Sequence, residues 1–193
     1  CLANNGIEHV YISPGSRNAP LIRAFVHHPN INCYSAIDER SAGFLALGAS
    51  IALKKPVAIV CTSGTALLNY YPALTEAFYA GVPILAISAD RPASLIDQWE
   101  GQCIRQNNVF VNHLGNSILF DVENDGLEAL ELATARTLNV LNANKPVHVN
   151  VPLSEPLYNN FTTLEYIEIN FEKPTVIDEL CIPEQFMQDI QLS

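Results

Sequence analysis

The sequence predicts an α/β fold in which a doubly wound, mainly parallel sheet of six strands carries helices on both faces. Short apolar runs rich in β-branched residues alternate with segments of helical period along the chain, which is typical of βα units that build a parallel sheet. Of the 193 residues, 49% are hydrophobic and only 16% are charged. This composition suits one compact domain with a sizeable core.

The individual elements follow from these runs and from the residues that end them. Pro, Gly and Asn close the helical segments, as at His28-Pro29 and Gly81-Val82-Pro83. The predicted strands are the six apolar runs at 9–13, 32–37, 57–62, 84–89, 117–121 and 147–151. The predicted helices are the four segments of helical period at 19–27, 39–54, 65–80 and 127–142.

The periodicity fades beyond Pro152, so residues 1–152 are predicted to form the domain and residues 153–193 a linker with the start of a further domain. The first residue is not Met, and the late run PEQFMQDI looks like a helix that is just beginning. We therefore expect a fragment of a longer chain, with a truncated amino terminus.

Charge and composition exclude several functional classes. Ten Lys and Arg against 20 Asp and Glu give a net charge of −10, and no basic block is longer than Lys54-Lys55, which argues against nucleic-acid binding. No apolar run approaches the roughly 18 residues of a transmembrane segment, and the start lacks the pattern of a signal peptide. The five cysteines form no C-x-x-C pair, and the histidines show no metal spacing. We expect a cytoplasmic protein without a disulfide framework or a metal site of its own.

Polar clusters follow four of the predicted strands. They are Ser13 to Asn18, Asp38 to Ser41, Thr62 to Thr65 and Asp90 to Pro92. Doubly wound sheets bind ligands outside the carboxyl ends of their strands. The sequence therefore predicts a site at this edge.

Glu39 stands where the second strand passes into a helix, and two interpretations remain open. An acidic residue at a helix start is favoured by the helix dipole alone. If the carboxyl is instead screened from water, its pKa rises and it can hold or donate a proton near neutrality. Asp38 is better interpreted as the N-cap or as a salt-bridge partner.

Arg17, after Ser16 in a tight loop, and Arg91, after the fourth strand, suit capture of carboxylates or phosphates, although a surface salt bridge is the simpler explanation. The Thr62 to Thr65 turn could hold a phosphate on backbone N–H groups, but a capped helix whose Gly permits close approach is favoured. The sequence lacks the P-loop Lys, the G-x-G-x-x-G spacing and the G-x-S-x-G motif. The stretch Asn124-Asp125-Gly126 is interpreted as a loop before a helix.

Four segments together resemble a known family. They read ISPGSRNAPL at 12–21, DERSAGFLALG at 38–48, CTSGTA at 61–66 with NYYP at 69–72, and SADRP at 88–92. In this order they closely resemble the amino-terminal domain of the 2-succinyl-5-enolpyruvyl-6-hydroxy-3-cyclohexene-1-carboxylate synthases, which are thiamine diphosphate-dependent enzymes of menaquinone biosynthesis. The segment 62–69 is also similar to the TSGPGxxN segment of acetolactate synthases.

The resemblance implies a pyrimidine-binding domain of the thiamine diphosphate-binding fold, in which Glu39 is catalytic and hydrogen-bonds the aminopyrimidine of the cofactor. The implied reaction decarboxylates 2-oxoglutarate and adds the succinyl-semialdehyde unit to isochorismate. By the same resemblance, the cofactor contacts are Glu39, Pro14, Thr62, Ser63, Gly64 and Asn69. The implied substrate contacts are Ser16, Arg17, Arg91 and Gln102, the last of which rests on GQCIRQ at 101–106, where Gly101 replaces a family Asn.

The family resemblance further implies that Mg²⁺ and the diphosphate are held by another domain, and that the site lies between subunits of a homodimer or tetramer. The 193-residue chain alone is therefore expected to be inactive. Two alternatives stay open. One is another thiamine diphosphate-dependent 2-oxo acid enzyme of the acetolactate synthase or decarboxylase type, which the paired arginines disfavour. The other is a non-catalytic nucleotide-binding or interaction module in which Glu39 is only a helix-start residue.

Overall fold

The computed structural model describes residues 2–158, which form a six-stranded parallel sheet. The strand order is β2-β1-β3-β4-β6-β5, and every neighbouring pair is parallel. The predicted class and all six predicted strands are confirmed. The strands are β1 His9–Ile12, β2 Asn32–Ser35, β3 Val57–Cys61, β4 Ile84–Asp90, β5 Asn116–Leu119 and β6 Val147–Pro152.

The helices are α1 Ala19–Val26, α2 Glu39–Leu53, α3 Thr65–Leu68, α4 Tyr71–Ala80 and α5 Leu127–Asn142. The prediction of a single helix over 65–80 is wrong, because the chain breaks at Asn69 and Tyr70. Pro72 explains the break: it has no N–H to donate to the Leu68 carbonyl, and its ring crowds that carbonyl. Pro72 instead occupies the first turn of α4, where no such donor is needed.

Two apolar cores cover the two faces of the sheet, and β3 contributes to both. Val57, Ile59 and Cys61 face the core shared with α2, α3 and α4. Ala58 and Val60 face the opposite core, which contains residues of α1 and α5. All residues of β3 and β4 are buried. Burial on both faces explains why these strands are apolar runs without polar alternation.

The strand order places a topological switch point between β1 and β3. β1 has β2 on one side and β3 on the other, so the connections leaving these strands run in opposite directions across the sheet. Such a point is where open parallel sheets hold ligands. None of the described helices is long and apolar enough to cross a membrane. Most of the predicted linker, residues 159–193, lies outside the described residues.

Candidate active site at the carboxyl edge of the sheet

The loop after β1 is held closed by Asn18, which is fully buried. Its amide Nδ2 donates to the Ser13 carbonyl at 2.9 Å, and its Oδ1 accepts from the Gly15 N–H at 2.9 Å. These two bonds satisfy the amide and shape a tight loop. Pro14 and Ser16 are exposed at its tip, where a ligand at the switch point would reach them.

This loop is in direct contact with the end of β3. A Cβ atom built on Gly15 would lie 2.6 Å from the Thr62 Cβ. No side chain fits at that separation, so the two loops approach each other as closely as glycine allows. The contact joins two of the sequence-predicted clusters directly at the switch point.

Gly64 turns the chain after β3 and has a positive φ of 83°. A Cβ atom on this residue would lie 2.9 Å from the Gln102 carbonyl oxygen. The Gly64 N–H donates to Gln106 Oε1 at 2.6 Å. That N–H already has a partner within the chain, so it is not available to a phosphate. The turn is therefore better explained as a place where glycine permits a close approach between two segments.

Arg17 extends across the carboxyl edge and is only 5% exposed. Its Nη1 donates to the Leu153 carbonyl at 2.6 Å, and its Nη2 pairs with Glu155 Oε1 at 3.1 Å. The Arg17 Nε is buried and has no hydrogen-bond partner among residues 2–158. Burial makes this arginine more than the surface salt bridge that the sequence left open.

Arg91 lies on the same edge, and its Nη2 donates to the Gly101 carbonyl at 2.9 Å. Its Nε is likewise buried and unpartnered within the described part of the chain. Both Arg91 and Arg17 act on the carboxyl of Asp90. Burial raises the pKa of Asp90 above its ordinary value, while the Asn150 amide, the Arg91 N–H and the two guanidinium groups oppose that rise. Both guanidinium groups therefore lie within electrostatic reach of one carboxyl at this edge.

Glu39 is the first residue of α2, and its neighbour Asp38 is the N-cap. Asp38 Oδ1 accepts from the Ser41 N–H at 2.7 Å, and this bond is the main cause that lowers the pKa of Asp38. The Glu39 side chain is not needed for capping, and among residues 2–158 it makes no hydrogen bond or ion pair. The half-buried Glu39 carboxyl is therefore free to accept a hydrogen bond from a ligand.

Two buried side chains, Cys61 and Tyr70, lie within electrostatic reach of Glu39. Burial raises the pKa of the Cys61 thiol well above its ordinary value, and the Glu39 charge adds to the rise. The Tyr70 hydroxyl donates to Ser13 Oγ at 3.4 Å, and burial is the main cause that raises the pKa of Tyr70. Both groups are thus kept in their neutral, protonated forms.

Comparison with known proteins identifies the family. The model of the family described as "Thiamine pyrophosphate enzyme, N-terminal TPP binding domain" matches residues 1–109, a range that holds β1 to β4 and the loops just described. The chain belongs to the thiamine pyrophosphate enzymes. The fold expected from the motif resemblance is therefore confirmed, and thiamine diphosphate (thiamine pyrophosphate) is the cofactor of this family.

Several curated relatives of this thiamine pyrophosphate enzyme are named 2-succinyl-5-enolpyruvyl-6-hydroxy-3-cyclohexene-1-carboxylate synthase. The chain is 54% identical over 165 residues to one from Flavobacterium psychrophilum, covering 82% of this chain and 29% of the relative. It is 46% identical over 190 residues to one from Christiangramia forsetii, covering 88% of this chain and 32% of the relative. It is 49% identical over 163 residues to one from Desulfotalea psychrophila, covering 82% of this chain and 30% of the relative. The chain thus spans about a third or less of the length of these relatives.

The geometry of this thiamine pyrophosphate enzyme domain fits the aminopyrimidine of its cofactor. The Glu39 carboxyl, which has no hydrogen-bond or ion-pair partner among residues 2–158, offers an acceptor to a ring N–H. Within residues 2–158 no group of three or more His, Cys, Asp or Glu side chains is placed to hold a metal ion. The free carboxyl acceptor at this edge suits an N–H donor of the cofactor ring.

Contacts between the loops involve four of the sequence-predicted residues, which are Thr62, Gly64, Arg91 and Gln102. Gly15 meets Thr62, Gly64 meets Gln102, and Gly101 meets Arg91, so these loops of the thiamine pyrophosphate enzyme form one continuous edge. Asn69 is exposed just after α3, and its amide donates to the Thr65 carbonyl at 3.0 Å.

The sequence analysis gave no individual role to four polar residues of this edge, which are Asn18 and Asp90 within its predicted clusters and Gln106 and Asn150 outside them. Three of them, Asn18, Gln106 and Asn150, are at most 1% exposed, and a buried side-chain amide requires partners. The sequence signal was a polar residue within or directly beside an apolar run, as at Asn150 in the run 147–151. Such a signal indicates a buried partner without saying which residue it is.

Proposed function

We propose that this chain is the pyrimidine-binding part of a thiamine diphosphate-dependent 2-succinyl-5-enolpyruvyl-6-hydroxy-3-cyclohexene-1-carboxylate synthase, with residues 1–152 as the domain and residues 153–193 leading to the next one. The complete enzyme would decarboxylate 2-oxoglutarate and add the succinyl-semialdehyde unit to isochorismate in menaquinone biosynthesis. The names of the relatives support the reaction.

One observation carries the proposal: a half-buried carboxyl, Glu39, lies at the carboxyl edge of the sheet without a partner of its own. The helix dipole favours an acid at this position but does not account for its partial burial. A partly buried carboxyl without an internal partner can accept a hydrogen bond from a ligand. An aminopyrimidine nitrogen would supply it.

When bound, thiamine diphosphate supplies the electron sink for decarboxylation of the 2-oxo acid. Glu39 would hold a hydrogen bond to the pyrimidine ring and control the proton there. The turn after β3 and the loop after β1 would pack against the same ring. The proposed cofactor contacts are Glu39, Pro14, Thr62, Ser63, Gly64 and Asn69.

The arginines favour substrates with several carboxylates. Arg17 and Arg91 each keep a buried, unpartnered Nε–H at this edge among the described residues, and each guanidinium is suited to a carboxylate. A substrate carboxylate would also compete with the exposed Glu155 for Arg17. Both 2-oxoglutarate and isochorismate carry two carboxylates. The proposed substrate contacts are Ser16, Arg17, Arg91 and Gln102.

The remaining parts of the proposal concern partners and location. Mg²⁺ and the diphosphate would be held outside this domain, and the site would be completed across a homodimer or tetramer interface. The 193-residue chain would therefore be inactive alone. A cytoplasmic location is consistent with the thiols of Cys33, Cys61 and Cys103, which are free in residues 2–158.

The test uses the complete protein with thiamine diphosphate and Mg²⁺. Consumption of 2-oxoglutarate is followed with and without isochorismate, in the wild type, in Glu39→Gln and in Asp38→Asn. Glu39→Gln removes the proton-handling carboxyl and is expected to lower kcat by about 10²–10⁴-fold. Asp38→Asn is the matched control, because Asn is an equally good N-cap, and it is expected to retain activity.

The outcomes separate the proposed reaction from its alternatives. Consumption that requires isochorismate and collapses only in Glu39→Gln would support both the reaction and the role of Glu39. Consumption of pyruvate in place of 2-oxoglutarate would indicate an acetolactate synthase-type enzyme. Full activity of Glu39→Gln, or no turnover of either acid by the wild type, would contradict the proposal.

A further inference from the structure

A cluster of buried polar side chains lies directly beneath the carboxyl edge, between β4, β6 and the segment that follows β4. Ser88, Gln106, His148 and Asn150 are each at most 1% exposed. Ser88 and Asn150 are partners in the register of β4 and β6. The proposed reaction uses none of these four residues.

The donors and acceptors of the cluster can be assigned in one consistent way, starting from the carboxylate of Asp90, which only accepts. Asn150 Nδ2 donates to Asp90 Oδ2 at 2.7 Å, so Asn150 Oδ1 must face inward. That oxygen accepts from Ser88 Oγ at 2.7 Å and from Gln106 Nε2 at 2.8 Å. Because the Ser88 hydroxyl donates to Asn150, its oxygen is left to accept the 2.8 Å hydrogen bond from His148 Nε2.

Gln106 uses both ends of its amide. Its Nε2 donates to Asn150 Oδ1, to the Ala89 carbonyl at 3.1 Å and to Ser88 Oγ at 3.2 Å. Its Oε1 accepts from the Gly64 N–H at 2.6 Å. This one side chain therefore bonds the turn after β3 and the end of β4.

These two regions have separate proposed tasks. The turn at Gly64 belongs to the proposed cofactor contact, and Asp90 Oδ1 accepts from the Arg91 N–H at 2.7 Å, beside the proposed substrate contact. We propose that Gln106 is a positioning residue that sets the distance between the cofactor turn and the substrate arginine, through Gly64 on one side and Asn150 with Asp90 on the other. This inference rests on the proposed function.

A buried amide that meets four partners has one orientation only, because rotating it would place donors against donors and acceptors against acceptors. Gly64 itself has no side chain that could hold its backbone in place. Gln106 supplies that constraint from 42 residues away along the chain. Removing the amide would leave the Gly64 N–H, the Ala89 backbone carbonyl and the Asn150 side-chain Oδ1 without this partner.

The test compares two variants of the complete protein that disturb the same cluster. Gln106→Met keeps the length and volume of the side chain but loses every bond to Gly64 and Asn150. Ser88→Ala is the matched control, because Ser88 bonds Gln106, Asn150 and His148 but not Gly64. Binding of thiamine diphosphate with Mg²⁺ is measured by calorimetry, the free energy of unfolding by urea titration, and KM and kcat for 2-oxoglutarate on the same preparations.

Gln106→Met is expected to bind thiamine diphosphate about tenfold more weakly, as for the loss of one hydrogen bond, and to show a raised KM for 2-oxoglutarate. Ser88→Ala is expected to lower the free energy of unfolding while leaving cofactor affinity unchanged. If Gln106→Met does not fold, Gln106→Glu replaces it: it keeps an oxygen for the Gly64 N–H but puts an oxygen opposite Asn150 Oδ1. It is expected to raise KM for 2-oxoglutarate more than it weakens cofactor binding.

Equal cofactor affinity in wild type and Gln106→Met would overturn the inference. It would also be overturned if Ser88→Ala weakened cofactor binding as much as Gln106→Met while losing the same free energy of unfolding. With Gln106→Glu, an unchanged KM would overturn it. These results leave the proposed function intact, provided that the wild type binds cofactor and consumes 2-oxoglutarate. A wild type that does not bind thiamine diphosphate would overturn both.

Discussion

Gly15 and Thr62 touch so closely that a Cβ atom on the glycine would lie 2.6 Å from the threonine Cβ. This contact joins the loops after β1 and β3, the two strands that flank the switch point. The Thr62 Cβ cannot swing away, because it is attached directly to the backbone. The two loops can therefore approach this closely only because residue 15 has no Cβ atom.

Substituting Gly15→Ala is expected to force the loops apart and to lower the free energy of unfolding by about 1–3 kcal/mol, the usual cost of overpacking. Urea unfolding of the protein measures the change. Gly101→Ala is the control, since nothing lies within 4 Å of a Cβ at that position, and its effect should be small. Equal stability of Gly15→Ala and wild type would show that the loops yield freely.

Two glycines of α2 are predicted to respond in opposite directions to the same substitution. A Cβ on Gly43 would lie 2.9 Å from the Ala73 Cβ in α4, whereas a Cβ on Gly48 meets nothing within 4 Å. Gly43→Ala should push the two helices apart and destabilise the protein by about 1–3 kcal/mol. Gly48→Ala should stabilise it by about 0.5–1 kcal/mol, through helix propensity alone. Thermal unfolding of both variants checks the prediction, and a change of the same sign in both would refute it.

The burial of His148 leads us to expect that the protein loses stability when the pH is lowered. Burial lowers the pKa of His148 from its ordinary value of 6.5 to about 3 in the folded state. Between these two values the unfolded chain binds a proton that the folded chain does not bind. Within this window the free energy of unfolding should therefore decrease by up to about 1.4 kcal/mol for each unit by which the pH is lowered. Above the window His148 should make no contribution to the pH dependence.

The raised pKa of Asp90 acts in the opposite direction, because the folded state holds that proton more tightly than the unfolded state just above pH 3.8. Urea unfolding between pH 7.5 and pH 4.5 isolates the histidine effect by comparing wild type with His148→Gln. The variant should show the shallower slope. His27→Gln, at an exposed position, is the control. Parallel curves for wild type and His148→Gln would rule out His148 as the source.

Local patterns in the sequence were sufficient to predict the fold class, the six strands and the position of Glu39. Strands buried on both faces, such as β3, must be apolar throughout, and that run is visible without any structure. Glu39 follows a strand and precedes a helix, so its place at the carboxyl edge follows from chain order. Pro72 also signalled the break between α3 and α4, although the helical period across it concealed that signal.

The partners of the buried polar groups could not be predicted in this way. Gln106 meets Gly64 and Asn150 across 42 and 44 residues, and this happens only because β4 lies beside both β3 and β6. The order of strands in a sheet depends on how helices pack on its two faces. The hydrophobic pattern of each strand and helix would be the same for any strand order, so it does not reveal the order. A hydrogen bond is directional and requires atoms within about 3 Å, so the local pattern shows that Gln106 needs partners, while the packed sheet selects Gly64 and Asn150.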